Sequence, residues 1–195
     1  MWSSAWTCDR HGEVLPLHPA APPTPEALKV VVGKAKVPLW LAWPLPKGWL
    51  VSGATYAGDD RSGARATVLA LSGPAPLGGP GDLILVAEEP GIGLGARYAG
   101  LASADPGAGF MATNPATKIH VKGRPTPLWE IVAAPDLTAF VGEAGGLWLW
   151  AVAWPETASL IVHDHLHLVD LREAGHMVDP PFGAPSPRIH SETGD

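Results

Sequence analysis

The hydrophobic positions of this chain fall into short runs that end at glycine, proline or charged residues. Runs of this length and spacing are typical of β-strands joined by turns. They predict strands over residues 47–56, 64–72, 82–88, 118–121, 128–133, 137–142, 147–154 and 159–163. Two further stretches, residues 91–100 and 166–174, are predicted to be short helices. The pattern therefore indicates an α+β domain built on a mainly antiparallel, twisted meander, with a few short helices on one face.

The run at residues 147–154 gives the strongest strand prediction. Apolar side chains occupy both alternating sets of positions in this run. A strand with two apolar faces needs cover on both sides. We therefore expect this strand to lie near the centre of the sheet.

Two proline-rich segments flank the predicted body of the domain. Residues 19–25 form a stiff spacer, and residues 180–187 lead into a polar end. We therefore expect residues 1–25 to be an N-terminal segment with a linker and residues 26–179 to be a single α+β domain. Residues 180–195 are expected to be a flexible tail.

Composition narrows the classes of function. Hydrophobic residues make up 46% of the chain and charged residues 16%, with 23 glycines and 22 prolines, which suits a folded, turn-rich domain. The formal net charge of -6 argues against a nucleic-acid interface, because phosphate binding needs clustered cations. No apolar run approaches the roughly 20 residues of a membrane helix, and no signal peptide is visible. Together with the single cysteine, these features predict a cytoplasmic protein without membrane insertion.

Nine tryptophans stand against three phenylalanines and two tyrosines. Because tryptophan is mostly buried in folded proteins, core filling is the first interpretation. The alternative is an aromatic recognition surface for a protein partner or a small apolar ligand. The candidate binding residues for that surface are Trp129, Trp148 and Trp150, with Arg124 beside them.

Cys8 and His11 have the spacing of half a zinc knuckle. A structural zinc site needs four ligands, so a second pair would have to come from another chain, from upstream residues or from distant histidines. His163, His165 and His167 are a second metal candidate, because alternate side chains of a strand share one face. The alternative for these three histidines is a polar edge of solvated imidazoles. Zinc is the one cofactor that these patterns suggest.

The remaining motifs do not assemble into a catalytic set. Residues 91–96 match the G-x-G-x-x-A pattern of a dinucleotide-binding turn, but a Pro/Gly-rich loop follows where a second parallel strand is needed. We therefore interpret this turn as a glycine-eased start of a helix packed on the sheet. Glu88 and Glu89 are interpreted as polar loop residues.

Longer motifs resemble a family of uncharacterised actinobacterial proteins, DUF6758. They are PLWLAWPLPKGW at residues 38–49, AGDDRSGARAT at 57–67, GIGLGARYAG at 91–100, GRPTPLW at 123–129, GLWLW at 146–150 and DLR at 170–172. The resemblance implies an N-terminal zinc-ribbon-like segment in which Cys8 and His11 correspond to the second ligand pair. The first pair would lie upstream of Met1, so the resemblance implies that the ribbon is truncated here.

The leading hypothesis is a non-catalytic binding or regulatory module. One alternative is a metal-dependent enzyme that uses Cys8 and His11 with borrowed ligands. Another is a structural protein that forms a homo-oligomer through an uncovered apolar patch. The sequence does not identify a substrate.

Overall fold

A computed structural model describes residues 6–8, 12–14, 16–20, 22–59, 61, 63–107, 109–164, 166–174 and 177–189, the first two ranges as backbone only. The strands in this part of the chain are β1 (Trp6–Cys8), β2 (Gly12–Val14), β3 (Trp40–Ala42), β4 (Leu50–Asp59), β5 (Gly63–Pro74), β6 (Pro80–Glu88), β7 (Thr117–Val121), β8 (Arg124–Ile131), β9 (Thr138–Ala144), β10 (Leu147–Trp154) and β11 (His167–Asp170). The helices are α1 (Pro25–Lys34), α2 (Leu94–Tyr98), α3 (Leu160–His163) and α4 (Leu171–Ala174), with 3-10 turns at Phe110–Ala112 and Glu156–Ser159.

Nine strands form one curled sheet in the order β3-β11-β7-β8-β9-β10-β6-β5-β4, and β1 and β2 form a separate hairpin. Neighbouring strands of the large sheet run antiparallel, except that β7 and β11 are parallel. The predicted β-rich, mainly antiparallel sheet is therefore confirmed. The sheet is nevertheless mixed, because β11 enters it between β3 and β7, out of chain order, and runs parallel to β7.

The central strands are buried on both faces. Leu149, Ala151 and Ala153 of β10 belong to one hydrophobic cluster, which we call the first core. Trp150 and Val152 of the same strand belong to a second cluster on the opposite face, the second core. All five side chains are fully buried. The prediction that residues 147–154 form a central strand with two covered faces is confirmed.

The helices contact both cores. Thr24 caps α1 by accepting a hydrogen bond from the Ala27 N–H at 3.1 Å, and Pro25 occupies the first helical turn. Val31 of α1 lies in the first core, whereas Leu94 of α2 lies in the second. The expectation that the helices lie on one face is therefore not confirmed. None of the described helices is long and apolar enough to cross a membrane.

Near the end of the domain, one prediction is wrong and a second is wrong in its first half. Residues 159–163 form the end of a 3-10 turn and α3 instead of a strand. The turn starts directly after β10, where the Ala158 N–H donates to the Pro155 carbonyl oxygen at 2.8 Å. Within the predicted helix at residues 166–174, residues 171–174 do form α4, but residues 167–170 form β11, because they pair with β3 on one side and β7 on the other. Non-local pairing and burial, and not the local sequence, determine the secondary structure of both segments.

Strand β4 lies at one edge of the sheet, and the ends of the described chain cover it. Residues 16–18 and 181–186 form backbone hydrogen bonds of 2.8 to 3.1 Å with β4. Ile189 follows these bonds and is buried in the second core. The outer backbone of this edge is therefore partly paired instead of being open to another strand.

Candidate functional site

An aromatic cluster lies on the second-core side of the sheet. Trp148 packs against the second core, and Trp129 lies on the same side because Ile131, two residues further along β8, packs there. The ring of Phe110 contacts both indoles, with centroid distances of 5.6 Å and interplanar angles of 87° to Trp129 and 78° to Trp148. All three side chains are half-buried. We call Trp129, Trp148 and Phe110 the indole clamp.

The register of the sheet explains how Phe110 fits between the two indoles. Strands β8 and β10 are separated by β9, so their backbones are about 10 Å apart. Trp129 and Trp150 both stand opposite Val141 of β9, and Trp148 is two residues from Trp150. The indoles of Trp129 and Trp148 therefore border a gap above β9, and Phe110 occupies that gap.

Both indole N–H groups anchor the segment that carries Phe110. Trp129 Nε1 donates to the Thr113 carbonyl oxygen at 2.9 Å, and Trp148 Nε1 donates to Asp105 Oδ1 at 2.9 Å. The same Asp105 oxygen accepts from the Gly91 N–H at 3.0 Å. The two indoles thus provide the packing surface for Phe110 and hold its segment on the sheet.

Glu88, the last residue of β6, is a fully buried carboxyl group. Its Oε2 accepts a hydrogen bond from the Leu94 N–H at 2.6 Å, and its Oε1 accepts one from the Gly95 N–H at 3.2 Å. Burial raises the pKa of Glu88 to about 7, helped by the charge of Asp105 and opposed by the two backbone hydrogen bonds. The interpretation of Glu88 as a polar loop residue is therefore wrong, because it alternates with Val86 into the second core.

The glycine-rich turn at residues 91–96 binds the carboxyl group of Glu88. Gly93 precedes α2 with φ 81°, and Gly95 lies against Trp150, where an added Cβ would come within 2.2 Å of the ring. Backbone N–H groups at such a turn are the ones that a nucleotide phosphate would need. Here the N–H groups of Leu94 and Gly95 bind Glu88. The predicted glycine-eased helix start, packed on the sheet, is confirmed.

Three carboxyl groups lie next to Trp148. Glu88 and Glu143 are its direct cross-strand partners on β6 and β9, where Cβ atoms are roughly 5 Å apart. Asp105 accepts its indole N–H, and the second Asp105 oxygen accepts no hydrogen bond from the described residues. Glu143 is exposed and forms no ion pair with any described residue. The end of the clamp at Trp148 is therefore acidic.

The other two predicted binding residues lie apart from the clamp. Trp150 is fully buried below it in the second core. Its Nε1–H has no hydrogen bond of good geometry in the described chain, although it lies close enough to Glu88 to lower the pKa of that carboxyl. Arg124 is exposed at the start of β8. It lies on the same face of that strand as Leu128, which belongs to the first core, and therefore on the face opposite Trp129. The structure brings Trp129 and Trp148 together and does not bring Arg124 to them.

The profile of one protein family matches residues 1–189 of the chain, and it is described as DUF6758, a family of unknown function. The chain belongs to the DUF6758 family. No curated protein and no solved structure matches it. Family membership therefore assigns no activity, and the function of this DUF6758 chain has to be argued from its site.

The zinc site implied by the DUF6758 resemblance lies mostly outside the described residues. His11 is not among them, and only the backbone of Cys8 is, at the end of β1 opposite Gly12 of β2. The part of the chain that is described contains no group of three or more side chains that could hold a metal ion. A zinc site at Cys8 and His11 remains a prediction.

The histidines of the second metal candidate lie on different elements of this DUF6758 chain. His163 is on α3, and its ring packs edge-on against Phe140 at 5.3 Å. His167 is on β11 and stacks on His120 at 4.6 Å, whereas His165 lies outside the described residues. His120 was missed because only the parallel register of β7 and β11 brings it to His167.

Two further carboxylates tie distant segments together. Asp170 is buried, pairs with Arg172 at 2.6 Å and accepts a hydrogen bond from the Leu39 N–H at 3.2 Å. Asp82 accepts hydrogen bonds from the hydroxyl groups of Ser72 at 2.6 Å and Ser186 at 2.9 Å. The second contact fastens the C-terminal segment to the sheet. Both carboxylates are occupied by contacts that support the fold.

Proposed function

We propose that this chain is a non-catalytic, cytoplasmic binding module whose ligand or partner places an apolar group in the indole clamp. The observation that carries the proposal is the position of Phe110 between Trp129 and Trp148, in edge contact with both at 5.6 Å. Aromatic rings attract one another in this arrangement. The Phe110 ring is therefore a guide to how an apolar group of a ligand packs between the indoles.

The turn that carries Phe110, between the anchored residues Asp105 and Thr113, can leave the clamp more easily than the strands that carry the indoles. The described part of the chain between α2 and β7 has a single short 3-10 turn, Phe110–Ala112, and no longer element. Met111, in the same turn, is 56% exposed. Irregular, exposed segments open at a lower free-energy cost than core strands. A ligand can thus replace Phe110 while β8 and β10 keep the two indoles in position.

The buried acid next to the clamp supports binding better than catalysis. A general acid or base must come within hydrogen-bond distance of the substrate. Both oxygens of Glu88 instead accept backbone N–H groups at the start of α2, and the carboxyl group is fully buried. Its contacts support the wall of the clamp.

A neutral, apolar fluorescent probe, N-phenyl-1-naphthylamine, tests the proposal. Phe110→Ala should bind the probe about tenfold more tightly than the wild-type chain, because the clamp no longer has to be vacated first. Trp148→Ala should lose most of the binding, because one wall of the clamp is gone. Titration of probe fluorescence measures both changes.

Met111→Ala is the matched control, since it shortens the exposed neighbour of Phe110 without altering the clamp. It should bind the probe as the wild type does. Thermal unfolding of each variant shows whether the fold is intact. Equal probe binding by folded wild type, Phe110→Ala and Trp148→Ala would refute the proposal.

A further inference from the structure

The end of the indole clamp at Trp148 is acidic. On the Trp148 side lie Glu143, Glu88 and Asp105, and the first of these is exposed and forms no ion pair with a described residue. An anionic ligand would be repelled there, and a neutral one would gain nothing from the exposed carboxyl group of Glu143. We propose that the group bound by the clamp is an organic cation of the methylated ammonium class; this inference rests on the proposed function.

The clamp offers both kinds of contact that such a cation needs. The faces of indole rings carry negative potential and attract a cation within about 6 Å of the ring centroid. The methyl groups of a methylated ammonium also supply apolar surface, which suits the aromatic walls. A trimethylammonium group is about as wide as the Phe110 ring but thicker, so the turn that carries Phe110 has to move aside together with the ring.

Two carboxyl groups, those of Glu143 and Asp105, lie close to the Trp148 wall of the clamp. Glu143 stands directly opposite Trp148 in the sheet, and Asp105 hydrogen-bonds to the Trp148 indole through only one of its oxygens. Its other oxygen accepts no hydrogen bond from the described part of the chain. The net charge of the whole chain, -6, favours the approach of a cation from solution.

Choline and its neutral carbon isostere, 3,3-dimethylbutan-1-ol, distinguish charge recognition from apolar fit. Isothermal titration calorimetry of the full chain, wild type and Phe110→Ala, should give a choline affinity at least about tenfold higher than that of the alcohol. Glu143→Gln should lower the choline affinity roughly threefold and leave the affinity for the alcohol unchanged. Added salt should weaken choline binding alone.

Glu130→Gln is the matched control for the charge change. Glu130 is exposed and adjacent to Trp129 on β8, but it belongs to the set of side chains that faces the other side of the sheet. The Glu130→Gln change should leave the affinities for choline and for the alcohol unchanged. A larger loss in Glu130→Gln than in Glu143→Gln would overturn the inference.

The outcomes separate this inference from the proposed function. Equal affinities for choline and the alcohol, or binding of the naphthylamine probe without choline binding, would overturn the cation proposal and leave the binding module standing. Failure of the naphthylamine, choline and the alcohol to bind folded Phe110→Ala would overturn both.

Discussion

The carboxyl group of Glu88 is ionised in water at neutral pH but is fully buried here. Burial raises its pKa from the ordinary value of 4.5 to about 7, against the opposing hydrogen bonds from Leu94 and Gly95. A pKa that is higher in the folded chain means that the folded state binds the proton more tightly than the unfolded state does. The contribution of Glu88 to stability is therefore complete below about pH 4.5 and is lost as the pH rises through about 7.

Glu88→Gln should remove this pH dependence, because the amide is neutral throughout and keeps an acceptor oxygen for the start of α2. Between pH 5 and pH 8 the wild-type free energy of unfolding should fall by about 2–3 kcal/mol more than that of the variant. Urea unfolding of both proteins at the two pH values measures the difference. The exposed control Glu130→Gln should behave as the wild type, and an unchanged pH dependence in Glu88→Gln would contradict the assignment.

At the scale of elements, two helical glycines have opposite surroundings. In α2, an added Cβ at Gly95 would lie 2.2 Å from the Trp150 ring, and Trp150 cannot move away because it is fully buried. In α1, nothing lies within 4 Å of an added Cβ at Gly33. Close packing of α2 on the second core therefore requires glycine, whereas the glycine of α1 only adds backbone freedom to the unfolded chain.

Gly95→Ala should lower the free energy of unfolding by about 1–3 kcal/mol, because the methyl group overpacks the contact with Trp150. Gly33→Ala should raise it by up to about 1 kcal/mol, because alanine favours the helix. Thermal and urea unfolding of the two single variants test the pair. A Gly95→Ala protein as stable as the wild type would show that α2 is not held against Trp150 as described.

The sequence predicts some elements better than others. The reason is how far apart in the chain the residues lie whose contacts stabilise each element. Strand β10 is predictable because one continuous apolar run supplies both of its faces. Strand β11 is not, because its partners β3 and β7 are remote in the chain. The site divides in the same way. Residue type identifies Trp129 and Trp148, whereas the fold alone brings Phe110 between them.

One part of the missed site did carry a signal in the sequence. Glu88 follows Ile84 and Val86 at a spacing of two, and both of those residues lie in the second core. Continuing that alternation predicts a buried carboxyl group at the end of β6. The charged pair Glu88-Glu89 hides this alternation, because two adjacent carboxyl groups at the end of a strand are also typical of an exposed loop.

For the whole molecule, the large sheet depends on segments from both ends of the described chain at its β4 edge. The C-terminal segment forms backbone hydrogen bonds with β4, and Ile189 fills the space beside Gly53, within 3.1 Å of an added Cβ there. Ser186 adds a hydrogen bond to Asp82. Without this segment, β4 presents unpaired backbone groups and apolar surface, which together favour pairing with a second sheet edge.

A chain that ends at Pro180 should therefore be less stable and should self-associate. Loss of the buried Ile189 side chain alone costs about 2–5 kcal/mol, and the freed N–H of Val51 loses its acceptor, the Pro181 carbonyl oxygen. Light scattering after size-exclusion chromatography, combined with thermal unfolding, measures both effects. A chain that ends at Ile189 keeps every described contact of this segment and is the control. If the shorter chain has the same oligomeric state and the same unfolding temperature as the control, the β4 edge does not need this cover.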